Sequence, residues 1–87
     1  ANAGGIMTKA DLRNILIRQL GQIAPEIDIS TLNTAADLRE ECDIDSMDFL
    51  RLITALGRDL SLEMPETDYE RMRSFDDLLA YLRDHVA

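Results

Sequence analysis

One serine of this chain stands in a setting that can do chemistry. In the run Asp43-Ile44-Asp45-Ser46-Met47-Asp48-Phe49-Leu50, Ser46 falls where a polar, acidic stretch gives way to apolar residues at helical spacing. A hydroxyl at such a junction can accept a phosphate linkage, because the free N–H groups and the positive dipole end of a helix N-terminus favour an anion. The same placement suits a second role, since serine is among the preferred N-cap residues. On the local residues alone both roles stand. Asp48 falls in the first turn of the expected helix, where negative charge is favoured.

The other reactive side chains point away from catalysis. Cys42, the single cysteine, follows Glu40 and Glu41, and neighbouring carboxylates disfavour a thiolate. It is expected to be a small buried apolar residue. One cysteine and one histidine make no metal-ligand set, so no metal site is expected. His85 lies near the end of the last expected helix, where it complements the helix dipole. No nucleophile–base pairing and no phosphate-cradling glycine loop is present. The many carboxylates read as a solvated surface, since so small a domain rarely separates the two pKa values of an acid–base pair. The chain is not expected to be an enzyme.

The elements that must position Ser46 follow from apolar spacing. Thr8 to Ala24 reads as a first helix, with Leu12, Ile15, Leu16, Leu20 and Ile23 on one stripe. Thr8 with Asp11 makes a weakened capping box, because Asp is shorter than Glu or Gln. Pro25 ends this helix. The connection from Glu26 to Asp45 carries Ile27, Ile29, Leu32, Leu38 and Ile44 without a period. A loop of this length with its own apolar pins is expected to pack down on the domain. The second helix spans Ser46 to Leu60, with Ser46 as its N-cap. Phe49, Leu52, Ile53, Leu56 and Leu60 form its main stripe, and Met47 and Leu50 are expected to widen the buried arc. Pro65 suits the first position of a short third helix to Met72, with Tyr69 and Met72 inward. Ser74 with Asp77 caps a last helix from Phe75 to His85. The expected fold is an all-α four-helix bundle, three longer helices and one short, with a long loop between the first two.

Composition bounds the partners. The 87 residues allow one domain and one modest core. Residues 1–6, Ala1-Asn2-Ala3-Gly4-Gly5-Ile6, read as an appended or flexible leader, and residues 7–87 as the single domain. A net charge of −8 argues against nucleic acid, whose binding rests on neutralised phosphates, and against anionic membranes. It favours basic protein partners and salt-sensitive encounters. No apolar run approaches a membrane span, so a soluble, cytoplasmic monomer is expected.

Asp45-Ser46-Met47, set in this helix layout, resembles the Asp-Ser-Leu of the acyl carrier protein family at the start of its second helix. The likeness runs from about Leu38 to Leu82. It takes in Leu60-Ser61-Leu62-Glu63-Met64-Pro65 before the third helix, the turn Arg73-Ser74-Phe75, and the apolar last helix with Tyr81. It implies that Ser46 receives 4′-phosphopantetheine from coenzyme A, that Asp45 and Met47 help to present it, and that Met64 lies at an edge that partner enzymes touch. A phosphopantetheinyl transferase, an acyl- or aminoacyl-loading ligase and downstream synthase or transferase enzymes are the implied partners. Two features depart from the fatty-acid carriers: Asp43 stands where they commonly have Gly, and Asp48 and Asp59 on the second helix are balanced by Arg51 and Arg58. Positions seven apart share a helix face, so Arg51 and Arg58 are expected to project together and, with Asp48, to take part in partner recognition. An aminoacyl carrier of D-alanyl type and an unmodified acidic interaction module are the alternatives.

Overall fold

The computed structural model describes residues 8–86; the expected leader at 1–6 lies outside them. The elements are α1 (Lys9–Ile23), α2 (Leu38–Glu41), α3 (Ser46–Leu60), a 3-10 helix (Glu66–Met72) and α4 (Phe75–His85). Among the described residues there is no strand, only an isolated antiparallel bridge between Asp37 and Ser74. The all-α expectation and the three longer helices are found. A fifth element, α2, lies inside the connection expected to lack one. Four residues are too few for a helical period to register in the sequence, and such a turn forms only with tertiary support.

α1 begins where its capping residues place it. The Thr8 side chain accepts from the Asp11 N–H at 3.1 Å, and the Thr8 N–H donates to Asp11 Oδ2 at 3.1 Å. The short Asp thus closes the box that Glu or Gln usually closes. Leu12, Leu16 and Leu20 of α1 are buried against Leu52, Ile53 and Leu56 of α3 and Leu78, Leu79 and Leu82 of α4. Each fully buried leucine is worth about 1.5–3 kcal/mol in transfer free energy.

The connection after α1 is fastened rather than free. Ile27, Ile29 and Leu32 pack on the core, while Leu38 and Ile44 are themselves buried. Within it the Ser30 hydroxyl and N–H both donate to Asp28 and hold its carboxyl below the usual range. The Leu38 N–H donates to the Arg73 carbonyl at 2.7 Å and the Asp76 N–H to the Thr34 carbonyl at 3.0 Å. These bonds tie both ends of the 34–38 stretch to the start of α4.

The third helix of the sequence reading is a 3-10 helix, and Pro65 precedes its first residue as an extended N-cap. Met72 is fully buried. Tyr69 is half-buried, with its ring edge-on to Phe49 at 5.8 Å. The Tyr81 hydroxyl of α4 donates to Asp68 Oδ2 at 2.6 Å and so fixes this segment against α4. Burial first, then the Asp68 hydrogen bond and charge, push the Tyr81 phenol up to about 12.

Candidate functional site

Asp45, not Ser46, is the N-cap of α3. The Asp45 backbone is extended, and its carboxylate accepts from the Asp48 N–H at 2.8 Å. Ser46 is therefore the first helical residue. Its side chain is exposed and makes no hydrogen bond among the described residues. The expected span of the helix stands, but its cap moves from Ser46 to Asp45, and that has a chemical consequence. A carboxylate does the capping, so the serine hydroxyl is left uncommitted at the positive end of the helix.

The approach to α3 is set by two residues upstream. Asp43 has φ 52°, in the left-handed region that favours glycine. Here an aspartate occupies the place that the family resemblance gives to Gly, and the turn is nevertheless made. Ile44 beside it is buried, and its N–H donates to the Arg39 carbonyl at 3.1 Å. Cys42, also buried, has its thiol pushed up to about 11 by burial and by the Glu41 charge, as expected of an inert packing residue.

Met47 and Leu50 do not widen the buried arc of α3. They are 62 % and 40 % exposed and are the exposed large hydrophobic residues of the described chain. Apolar type alone cannot say which flank of a helix its neighbours cover. The buried face is confined to Phe49, Leu52, Ile53 and Leu56.

A cleft of about 440 Å³ opens at Ser46, lined by Met47, Phe49, Leu50 and Tyr69 and by the charged groups of Arg39, Arg73, Glu66 and Glu70. Arg39 and Arg73 share one carboxylate. Arg39 Nε lies 3.6 Å from Asp37 Oδ1 and an Arg73 terminal nitrogen 3.5 Å from Asp37 Oδ2. Burial acts to raise the Asp37 carboxyl, but the Arg39 hydrogen bonds and the two guanidinium charges outweigh it and hold it below the usual range. Neither arginine stood out in the sequence. They meet because the Asp37–Ser74 bridge joins segments 37 positions apart, a pairing for which the chain carries no local signal.

Of the residues expected to recognise partners, Arg51 and Arg58 fall on the outer face of α3. Met47, Leu50, Arg51, Thr54, Ala55 and Arg58 line a shallow depression there. Arg51 pairs with Asp48 at 3.5 Å. Asp59 turns instead to Arg18, at 3.8 Å, and to Gln19 of α1. Among the described residues no carboxylate is within ion-pair distance of Arg58. Met64 is half-buried beside Gly57 and outside both depressions.

The bundle, the exposed serine at a helix start and the cleft beside it define a small helical carrier. Comparison with known proteins bears this out: the phosphopantetheine attachment-site family matches residues 10–82. The chain is 30 % identical over 73 residues to the acyl carrier protein of Chlamydia caviae, covering 84 % of this chain and 88 % of that one. It is 28 % identical over 75 residues to that of Clostridium acetobutylicum, covering 86 % and 91 %. In fold it is similar to the solution structure of an acyl carrier-like protein of Anaplasma phagocytophilum, with TM-score 0.77 and 22 % identity over 92 % of this chain and 93 % of that one. The chain belongs to the acyl carrier protein family. It is a carrier with a covalent 4′-phosphopantetheine group and no catalytic site of its own. A phosphopantetheinyl transferase and acyl-handling enzymes are its partner classes. Among the described residues no helix is long and apolar enough to cross a membrane.

Proposed function

We propose that Ser46 carries the 4′-phosphopantetheine arm and that the protein presents an acyl group on it to the enzymes of a specialised fatty-acid, polyketide or related pathway. The observation that carries this reading is the free, exposed hydroxyl of Ser46 at the first position of α3, with Asp45 taking over the capping. The arm supplies a thiol for a thioester. The domain supplies the attachment point, the acidic surface and the cleft. Tethering replaces free diffusion of the cargo by a high local concentration at each partner. Asp45 holds the helix start in place, and exposed Met47 flanks the attachment point where an incoming enzyme would contact it. In this reading the carrier works in the cytoplasm, beside the enzymes that load it.

Incubation with coenzyme A and a broad-specificity phosphopantetheinyl transferase tests the assignment. Intact mass should rise by one phosphopantetheine in the wild type and not at all in Ser46→Ala. Addition at Ser30, Ser61 or Ser74, or persistence in Ser46→Ala, overturns it. No addition to the wild type favours the unmodified interaction module.

Partner choice rests on the outer face of α3. Arg58 without a counter-ion and Arg51 shared with Asp48 sit beside the apolar side chains of Met47 and Leu50. A partner built to grip an acidic helix meets like charge there, which acts against wrong pairings. General fatty-acid synthesis enzymes should use the loaded carrier poorly, and Arg51→Glu with Arg58→Glu should improve that use. Equal and efficient acyl transfer by a fatty-acid synthesis acyltransferase to wild type and double variant overturns this role. An aminoacyl cargo is a second reading, favoured by Glu66 and Glu70 in the wall of the cleft, where an ammonium would find carboxylates. Loading by an amino-acid-activating ligase rather than an acyl ligase distinguishes the two.

A further inference from the structure

We propose that Arg39, with Arg73 beside it, is a phosphodiester-binding site that holds the linking phosphate of the arm against the domain. The inference rests on Ser46 being the attachment point and adds to it two residues from outside α3.

The geometry brings Arg39 to the correct face. Ser46 and Phe49 are three positions apart on α3, so their side chains stand one above the other. The Arg39 guanidinium lies over the Phe49 ring, 5.8 Å from its centre, and thus one turn below Ser46. Two contacts keep it there, the ring and the Asp37 carboxylate at 3.6 Å, while the bond from the Ile44 N–H to the Arg39 carbonyl fixes the backbone that carries it. Arg39, Arg73 and Ser46 line the same cleft.

The charges give the site its purpose. A phosphate on Ser46 would stand between the carboxylates of Asp45 and Asp48 in a chain of net charge −8. The Asp48 charge is met by Arg51 on the outer face. Two guanidinium groups share the single carboxylate of Asp37, so the Arg39–Asp37–Arg73 cluster by itself carries one net positive charge. Glu66 and Glu70 also line the cleft and would repel a phosphate, which leaves the two guanidinium groups as the charged groups there that attract it. Each guanidinium has five N–H donors in a planar fork suited to phosphate oxygens, and Asp37 occupies only some of them. The arginine side chains are 40 % and 57 % exposed, so the phosphate reaches them without unpacking the core.

Phosphorus NMR of the modified protein at low salt tests the proposal, after intact mass has shown one arm on Ser46. The phosphodiester resonance of the native holoprotein should differ from that of the same protein denatured in urea. Arg39→Gln should return it most of the way, Arg39→Lys part of the way, and Arg73→Gln by a smaller step. Arg83→Gln, an equal loss of charge at an exposed position of α4, should leave it in place. Coincident native and denatured resonances overturn the proposal, as does a resonance unmoved in folded Arg39→Gln. If Arg39→Gln is unfolded by circular dichroism, folded Arg73→Gln decides: an unmoved resonance there overturns the proposal equally. Absence of the mass increase overturns the Ser46 reading and this site with it, whereas a mass increase with an unmoved resonance overturns this site alone.

Discussion

The two ends of α3 are built on opposite principles. At its start Asp43 and Asp45 turn the chain in water, Ser46 and Met47 are exposed, and a cleft opens beside them. At its end the chain is crowded. Ser61 takes the left-handed cap at φ 52°, the Leu62 N–H donates to the Gly57 carbonyl at 2.9 Å, and a Cβ on Gly57 would meet the Leu62 carbonyl oxygen at 2.8 Å. Charge and capping govern the first end; close backbone contact governs the second. The attachment point proposed at Ser46 must stay accessible to several enzymes, and hydrogen bonds and dipoles hold a helix start in place without covering it. The far end needs no access and can be locked by contact.

The contrast can be broken most severely at the crowded end. Gly57→Ala forces a methyl group into the Leu62 carbonyl, which is backbone and cannot swing aside; it should cost about 1–3 kcal/mol in urea unfolding. An unchanged midpoint would mean that the end of α3 is as yielding as its start.

Between the two ends runs the 3-10 wall of the cleft, fastened by the Tyr81–Asp68 bond. Tyr81→Phe should cost about 1.5–2 kcal/mol, in the range of a hydrogen bond to a charged group. The phenol pKa is raised to about 12 in the folded protein. Its stabilising effect is therefore complete below the unfolded value, about 10, and is lost as pH rises toward 12. Wild-type stability should fall across that interval more steeply than that of Tyr81→Phe. Parallel curves would remove Tyr81 as the fastening.

The smaller effects separate capping from attachment. Asp45→Ala should cost about 1 kcal/mol as a lost N-cap, whereas Ser46→Ala should cost almost nothing, since its hydroxyl caps nothing. A reversed order would return the cap to Ser46. Asp43→Gly relieves the left-handed strain and should stabilise by less than about 1 kcal/mol, because glycine also loses more backbone entropy on folding. Destabilisation by Asp43→Gly would show that the Asp43 side chain contributes to the turn.

The sequence by itself determined the three longer helices and the place of Ser46 at the start of one of them. Leu12, Leu16 and Leu20, then Leu52 and Leu56, then Leu78 and Leu82 recur at the helical period, and all are buried. Pro25 and the Thr8–Asp11 and Ser74–Asp77 pairs mark boundaries through local hydrogen bonds and missing donors, which act within a few residues and are therefore legible in a linear string. Tertiary structure alone decided three things. It left Met47 and Leu50 exposed, because among the described residues no element covers that flank of α3. It gave the cap to Asp45, since aspartate and serine are near-equal caps and one residue of register decides between them. It also assembled the cleft, drawing Arg39 from α2, Ser46 from α3 and Glu66 from the 3-10 helix. That assembly depends on Leu38 meeting Arg73 across the chain, and a contact of that span is set by packing of the whole bundle rather than by any local preference.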